Sequence, residues 1–279
     1  MRKGDAKKMK KFRHFIGSFF SVLLGLIWLA PLIWLIGTAL TETSFHMSFI
    51  PNTPFTTANL EYVWKAIPFG QYYLNTIILV VCTFAIQFFT STLAAYSLAM
   101  YRFKGQALVF AVIFMQIIIP NDVLIIPNFM TLSELRAIDT KIGIMLPFLG
   151  SAMAIFLLRQ NFKTVPRALS EAAKIDGANL WQTIWRVYMP CAKAAYMSFA
   201  VISVSYHWNN YLWPLIVTNS VTNRTLTVGL AYFAKSKEAD MQWSNVCAAT
   251  LIIITPLLLV FFIMQKQFMN SFVGAGIKE

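Results

Sequence analysis

Apolar positions along this chain gather into long, charge-poor runs separated by short charged segments. Six runs stand out: His14–Thr41, Ala66–Tyr101, Gly105–Asn121, Ile142–Leu158, Ala194–Asn223 and Met241–Gln265. A helix needs about 20 mostly apolar residues to cross the hydrocarbon of a bilayer, and these runs meet or approach that length. The pattern predicts an all-α integral membrane protein with six transmembrane helices. The second and fifth runs exceed one span, so their surplus is expected in loops or headgroup-level helix ends. The fourth is short, with Lys141 and Arg159 expected to snorkel at its two ends.

Composition agrees with the pattern. Hydrophobic residues make up 58% of the chain and charged residues 12%, with a mean hydropathy of +0.62. A soluble globule of this length cannot enclose so much apolar surface. The formal net charge of +12 is concentrated in particular segments. Lys and Arg crowd the N-terminal tail, the Arg102–Lys104 connection, the Arg159–Lys193 connection and the C-terminal tail. The remaining connections hold only a few, diluted by Glu42, Glu61, Asp122, Glu134, Asp139, Glu238 and Asp240. By the positive-inside rule both termini are cytoplasmic. The basic balance is therefore a topology signal and a contact with anionic lipid, with no nucleic-acid partner implied.

The order along the chain follows. Met1–Arg13 is a cytoplasmic basic tail, residues 14–41 the first span, residues 42–70 an external loop, residues 71–268 a five-helix core and residues 269–279 a cytoplasmic C-terminal tail. The first apolar run is longer than the roughly 7–15 residues of a signal-peptide core and leads to no small-residue cleavage site, so it is expected to remain as an uncleaved span. Cys82, Cys191 and Cys247 sit in or beside spans and read as packing residues. His14, His46 and His207 fall at three different places relative to the membrane, which argues against a shared metal site.

The connection between the fourth and fifth spans carries the most information. Pro166 suits a first helical turn, and Gly177 after Asp176 supplies a stop that can take positive φ. A short helix over about Pro166–Asp176 would place Leu169, Ala172, Ala173 and Asp176 on one face, flanked by Glu171 and Lys174. Asn179 reads as the N-cap of a second helix with Gln182 in capping-box position. Trp181, Trp185 and Tyr188 then form a stripe suited to the headgroup level, ahead of Pro190. On physics alone this is either a docking surface or a purely interfacial segment.

The stretch Glu171-Ala172-Ala173, Gly177 and Val187-Tyr188-Met189-Pro190 resembles the EAA loop of bacterial ABC-importer permease subunits, with valine and methionine at two positions where the family pattern has isoleucine and leucine. Arg159–Ala178 and Trp208–Leu215 are similar to the carbohydrate-type branch, especially permeases for sugars and for glycerol 3-phosphate. The resemblance implies a cytoplasmic coupling-helix loop, with Glu171, Ala172, Ala173, Asp176 and Gly177 coupling to an ATPase. It also implies a second related permease subunit, two ATPase subunits and an extracytoplasmic solute-binding protein as partners. No G-x-x-x-x-G-K-[ST] occurs, so no cofactor is expected in this chain, with ATP and Mg left to the ATPase subunits.

Polar groups inside spans are costly and invite a functional reading. Trp208, Asn209, Asn210 and Tyr211 offer an aromatic face with amide donors and acceptors, the chemistry a sugar needs. The same amides could serve as interhelical hydrogen bonds. Asn75, Gln87 and Gln116 read as packing bonds, and Asp122 as a cap or loop residue. The function expected is inward movement of a sugar or polyol phosphate across the cytoplasmic membrane. An ion-coupled secondary transporter is the competing class, and it would require mid-span carboxylates that the runs lack.

Overall fold

A computed structural model describes residues 3–41, 54–236 and 243–276. Expectations for Glu42, His46, Glu238 and Asp240 lie outside the described residues. The described residues are helical apart from connections and one isolated bridge between Thr41 and Phe55. The chain divides into two compact units, Met1–Pro68 with Leu230–Pro256, and Phe69–Gly229 with Leu257–Glu279.

In the first unit, α1 (Lys3–Ala39) contains the first apolar run, and α2 (Ala58–Ala66) follows the bridge. The buried Asn59 side chain of α2 donates to the carbonyls of Ala39 (3.0 Å) and Thr41 (2.8 Å), capping carbonyls that the end of α1 leaves without helical partners.

The second unit is built on α3 (Phe69–Met100), whose surface shows the solvent it was made for. Its buried stripe includes Asn75, Thr76, Thr83, Gln87 and Ser91, while Leu74, Ile77, Val81 and Phe89 face outward. Asn75 is 0% exposed and Leu74 is 58% exposed. A helix in water would be turned the other way round. This one hides its polar groups among protein partners and offers its aliphatic groups to hydrocarbon.

Around α3 lie α4 (Gln106–Ile118), α5 (Ile125–Glu134), α6 (Lys141–Met145) and α7 (Ala152–Thr164). They are followed by α8 (Arg167–Ile175), α9 (Leu180–Thr183), a π-helical turn over Ile184–Tyr188, α10 (Met189–Cys191), α11 (Lys193–Asn209) and α12 (Leu212–Val217). The last two helices are α13 (Leu226–Ser236) and α14 (Trp243–Gly276). The helix α14 thus continues past residue 268, where sequence places the start of a tail.

Phe15–Ala39, Phe69–Met100 and Trp243–Ile263 are each long and apolar enough to cross a bilayer, among the described residues. Three more candidates are bent pairs: Gln106–Ile118 with Asn121–Glu134 (97°), Lys141–Phe148 with Ala152–Thr164 (44°), and Leu180–Cys191 with Lys193–Asn209 (84°). The breaks have local causes. Pro120 follows α4, Ser151 caps α7 by accepting from the Ala154 amide, and Ala192 leaves the helical region ahead of α11. The helix α3 packs on α7 and α11, joining Ala95, Tyr96, Leu158, Phe162, Tyr188 and Tyr196 in one buried cluster. A second cluster, nearer the start of α3, unites Leu79, Leu132, Ile144, Trp213 and Val217.

Candidate coupling loop and membrane cleft

The loop after α7 is half free and half anchored. None of α8 is buried, and Ile175 at its end is 86% exposed. Its C-terminus closes with two bonds, from the Gly177 amide to the Lys174 carbonyl (3.0 Å) and from the Ala178 amide to the Ala173 carbonyl (2.9 Å). That pairing is a Schellman motif, and it requires the left-handed backbone at C′ that Gly177 adopts with φ +74°. Glu171, Ala172, Ala173, Asp176 and Gly177 therefore all lie on this one helix and its cap, with the Asp176 amide bonded to the Ala172 carbonyl.

The next turn starts at a complete capping box. The Asn179 side chain accepts from the Gln182 amide and the Gln182 side chain accepts from the Asn179 amide, each at 2.9 Å. Beyond it the expected aromatic stripe is split three ways. Trp181 is exposed, Trp185 stacks on Phe88 with ring centroids 5.7 Å apart, and Tyr188 is buried with its hydroxyl donating to Met100 Sδ (2.8 Å). The cause is the wide π turn over Ile184–Tyr188, which shifts the helical register by a residue. Pro190 cannot donate an amide to the Arg186 carbonyl, and the wide turn stands immediately before it. The aromatic groups thus fix the second half of the loop to α3 and α7, while α8 stays uncovered.

A cleft of about 290 Å³ opens among α3, α4, α7 and α11. Gln87 is its organiser. Its Nε2 donates to the Phe148 carbonyl (2.6 Å) and lies 3.2 Å from His207 Nε2, and its Oε1 accepts from Ser203 Oγ (2.7 Å). The Phe148 carbonyl fixes the amide's orientation, since an oxygen at that position would face another oxygen. The second amide hydrogen then points to His207, whose Nε2 accepts, leaving the proton on Nδ1. On the facing side, Gln116 Oε1 accepts from the Ala152 amide (3.2 Å) and Asn121 Nδ2 donates to the Tyr206 hydroxyl (2.8 Å). Phe148 meets both Tyr206 and His207 edge-on, at 5.8 and 5.3 Å.

The aromatic-amide group expected at 208–211 is not gathered in one place. Trp208 is buried, with its ring 6.3 Å from that of Tyr73. Asn209 donates to the Ser205 carbonyl of its own helix (2.8 Å). Asn210 adopts an extended conformation where α11 ends, and its carbonyl accepts from Thr227 Oγ1 (2.8 Å). Tyr211 is exposed before α12. The sequence signals that lead to the cleft instead are Gln87, Gln116 and His207, the amides and imidazole that interrupt apolar runs. Asn75 proves to be a clamp, donating to the carbonyls of Thr222 (2.7 Å) and Arg224 (2.9 Å).

A further polar knot joins two connections. The Asp139 carboxylate accepts from the amides of Asn219 and Ser220 and from Ser220 Oγ, at 3.0 to 3.1 Å. Burial is the largest single influence on Asp139 and raises its pKa, but the hydrogen bonds from Ser220 and Asn219 together outweigh it and hold the carboxyl below its ordinary range.

Helices that present hydrocarbon-compatible faces, broken spans around a polar cleft and one uncovered, tightly capped surface helix together describe a polytopic membrane permease. Residues 87–272 match the family of binding-protein-dependent transport system inner membrane components, and the chain belongs to that family. It is 33% identical over 235 residues to the sn-glycerol-3-phosphate transport system permease protein UgpE of Yersinia pestis, covering 82% of this chain and 83% of that protein. It is 32% identical over 246 residues to the lactose transport system permease protein LacG of Rhizobium radiobacter, covering 88% and 89%. A chain from a bacterial ABC transporter involved in alginate import shares the fold, with a TM-score of 0.80 at 23% identity over 96% of this chain and 99% of that one. The protein is thus a multi-pass permease component of a bacterial inner-membrane import system.

Proposed function

We propose that this chain is one permease subunit of an ATP-driven importer that carries a carbohydrate or polyol phosphate inward. Its partners are a second related permease subunit, two ATPase subunits that hold ATP and Mg, and an extracytoplasmic solute-binding protein. Both termini and the Arg159–Lys193 connection face the cytoplasm. The observation that carries this reading is α8, a rigidly terminated helix with no buried residue, attached to a segment locked into the bundle. The relatives add the solute classes, since their names specify glycerol 3-phosphate and lactose transport.

In this mechanism the ATPases grip α8 through Ala172, Ala173 and the flanking Glu171 and Lys174. Closure of the ATPase pair moves α8, and the Schellman turn at Gly177 transmits the displacement to the anchored π turn. Trp185 on Phe88 and Tyr188 on Tyr96 pass it to α3. The spans then alternate between two packings.

Gly177→Val tests the linkage. A Cβ at residue 177 would meet nothing within 4 Å, so the substitution acts through backbone strain at φ +74°, about 1–2 kcal/mol. Membrane insertion should be normal, uptake should fall, and ATP hydrolysis by the assembled complex should lose its stimulation by the solute-loaded binding protein. Uptake at the wild-type rate would remove the lever.

A further inference from the structure

We propose that the cleft around Gln87 is a solute site selective for neutral, hydroxyl-rich molecules over anionic ones, an assignment that rests on the permease reading and chooses between its two solute classes. The cleft has hydrogen-bonding capacity left over after its internal bonds. Ser151 Oγ accepts from the Ala154 amide and keeps its O–H to donate. The Tyr206 oxygen accepts from Asn121 and likewise retains an O–H, while Asn121 retains its carbonyl oxygen. Gln116 uses its oxygen on Ala152, and its NH₂ has no other bond among the described residues. His207 lines the same space and spends Nε2 on Gln87. These groups come from α4 and the turn after it, the cap of α7 and α11, and they line one space with Phe148.

Each of those groups is uncharged in this bonding pattern. Neutral donors and acceptors beside an aromatic ring can exchange water for sugar hydroxyls at modest desolvation cost. An anion leaving water needs a counter-charge or suffers a far larger penalty, and among the described residues neither Lys nor Arg lines the cleft. A phosphorylated polyol would therefore meet no cationic side chain of the described residues there.

Met153, exposed and lining the cleft, provides the reporter position. The complete importer carrying Met153→Cys would be purified in lipid nanodiscs and treated with a neutral alkylating reagent, with modification at position 153 followed by mass spectrometry. Lactose, glucose and sn-glycerol 3-phosphate would each be added at about 50 mM. A site with a dissociation constant of about 10 mM slows labelling by about sixfold at that concentration. The expected result is protection by at least one of the neutral sugars and none by sn-glycerol 3-phosphate, with protection lost when Gln116→Leu is added. Protection by the phosphate to an equal or greater extent overturns the proposal. Protection by neither neutral sugar, or protection that survives Gln116→Leu, overturns it as well. The Gly177→Val ATPase assay does not involve the cleft, so the permease reading and the neutral-solute assignment fail separately.

Discussion

The loop bearing α8 and the cleft organised by Gln87 are held in shape by opposite means. Around α8 every shape-giving bond is local: Ala178 to Ala173, Gly177 to Lys174, and the reciprocal pair between Asn179 and Gln182. At the cleft the decisive bonds span 61 residues from Gln87 to Phe148, 116 to Ser203 and 120 to His207. The first region keeps its form while leaving an entire helix uncovered. The second has a form only when several spans have come together. A coupling element that must stay open to a partner suits local bonding, and a solute path that must change packing suits bonds between separate elements.

The sharpest way to break this contrast is Gln87→Leu. The side chain keeps similar bulk, but Ser203, the Phe148 carbonyl and His207 all lose their partner. Interhelical bonds in membranes average about 0.6 kcal/mol, so three of them are worth about 2 kcal/mol. The purified complex should melt earlier in detergent, while proteolysis within Arg167–Gly177 should be unchanged. If the loop loosens together with the cleft, the two regions are not independently held.

The same contrast explains what could be read in the sequence. The α8 stop, the positive φ at Gly177 and the capping box depend on residues at most a few positions apart, so residue types and spacing disclose them. The division of Trp181, Trp185 and Tyr188 among three surroundings does not follow from spacing, because one π turn alters the period on which the stripe was drawn. Membrane character was legible from run length, whereas the 97° and 84° breaks depend on how neighbouring helices accept freed backbone groups. Gln87 and Gln116 were visible as polar exceptions in apolar runs. Their convergence with Tyr206 and His207 required the helices to be placed side by side.

Asp139 tests a long-range contact of a different kind, one made by a charge outside the spans. Its folded pKa is depressed, so its contribution to stability is complete above the unfolded pKa and is lost as the pH falls through the folded one. Asp139→Asn keeps an acceptor oxygen for Asn219 and Ser220 but removes the titration. The variant should lose stability near neutral pH and show a smaller further drop on acidification than the wild type, read as detergent melting temperature against pH. The carboxylate lies in a connection and keeps some solvent contact, so screening keeps the effect below that of Gln87→Leu. An identical acid profile in the two proteins would show that the knot is held by the loop backbone and not by the charge.

The smallest effect is expected where the sequence pointed first. Asn209 spends its amide on the Ser205 carbonyl of its own helix, which already lies in the last turns of α11. Asn209→Leu therefore removes one intrahelical bond, set against an average of about 0.6 kcal/mol for a bond between membrane helices. Asn210 instead lines, with His207, Thr76 and Thr225, a small and mostly apolar space, so its loss should be felt next to the cleft. Uptake should be near normal in Asn209→Leu and lower in Asn210→Leu, with both complexes assembling in normal amounts. The ranking matters more than either value: a severe uptake defect in Asn209→Leu with Asn210→Leu unaffected would place the solute path along the outward face of α11, away from Gln87. With the solute in the proposed cleft, the path follows the side of α11 that carries His207 and Ser203, and Asn209 serves only the end of the helix.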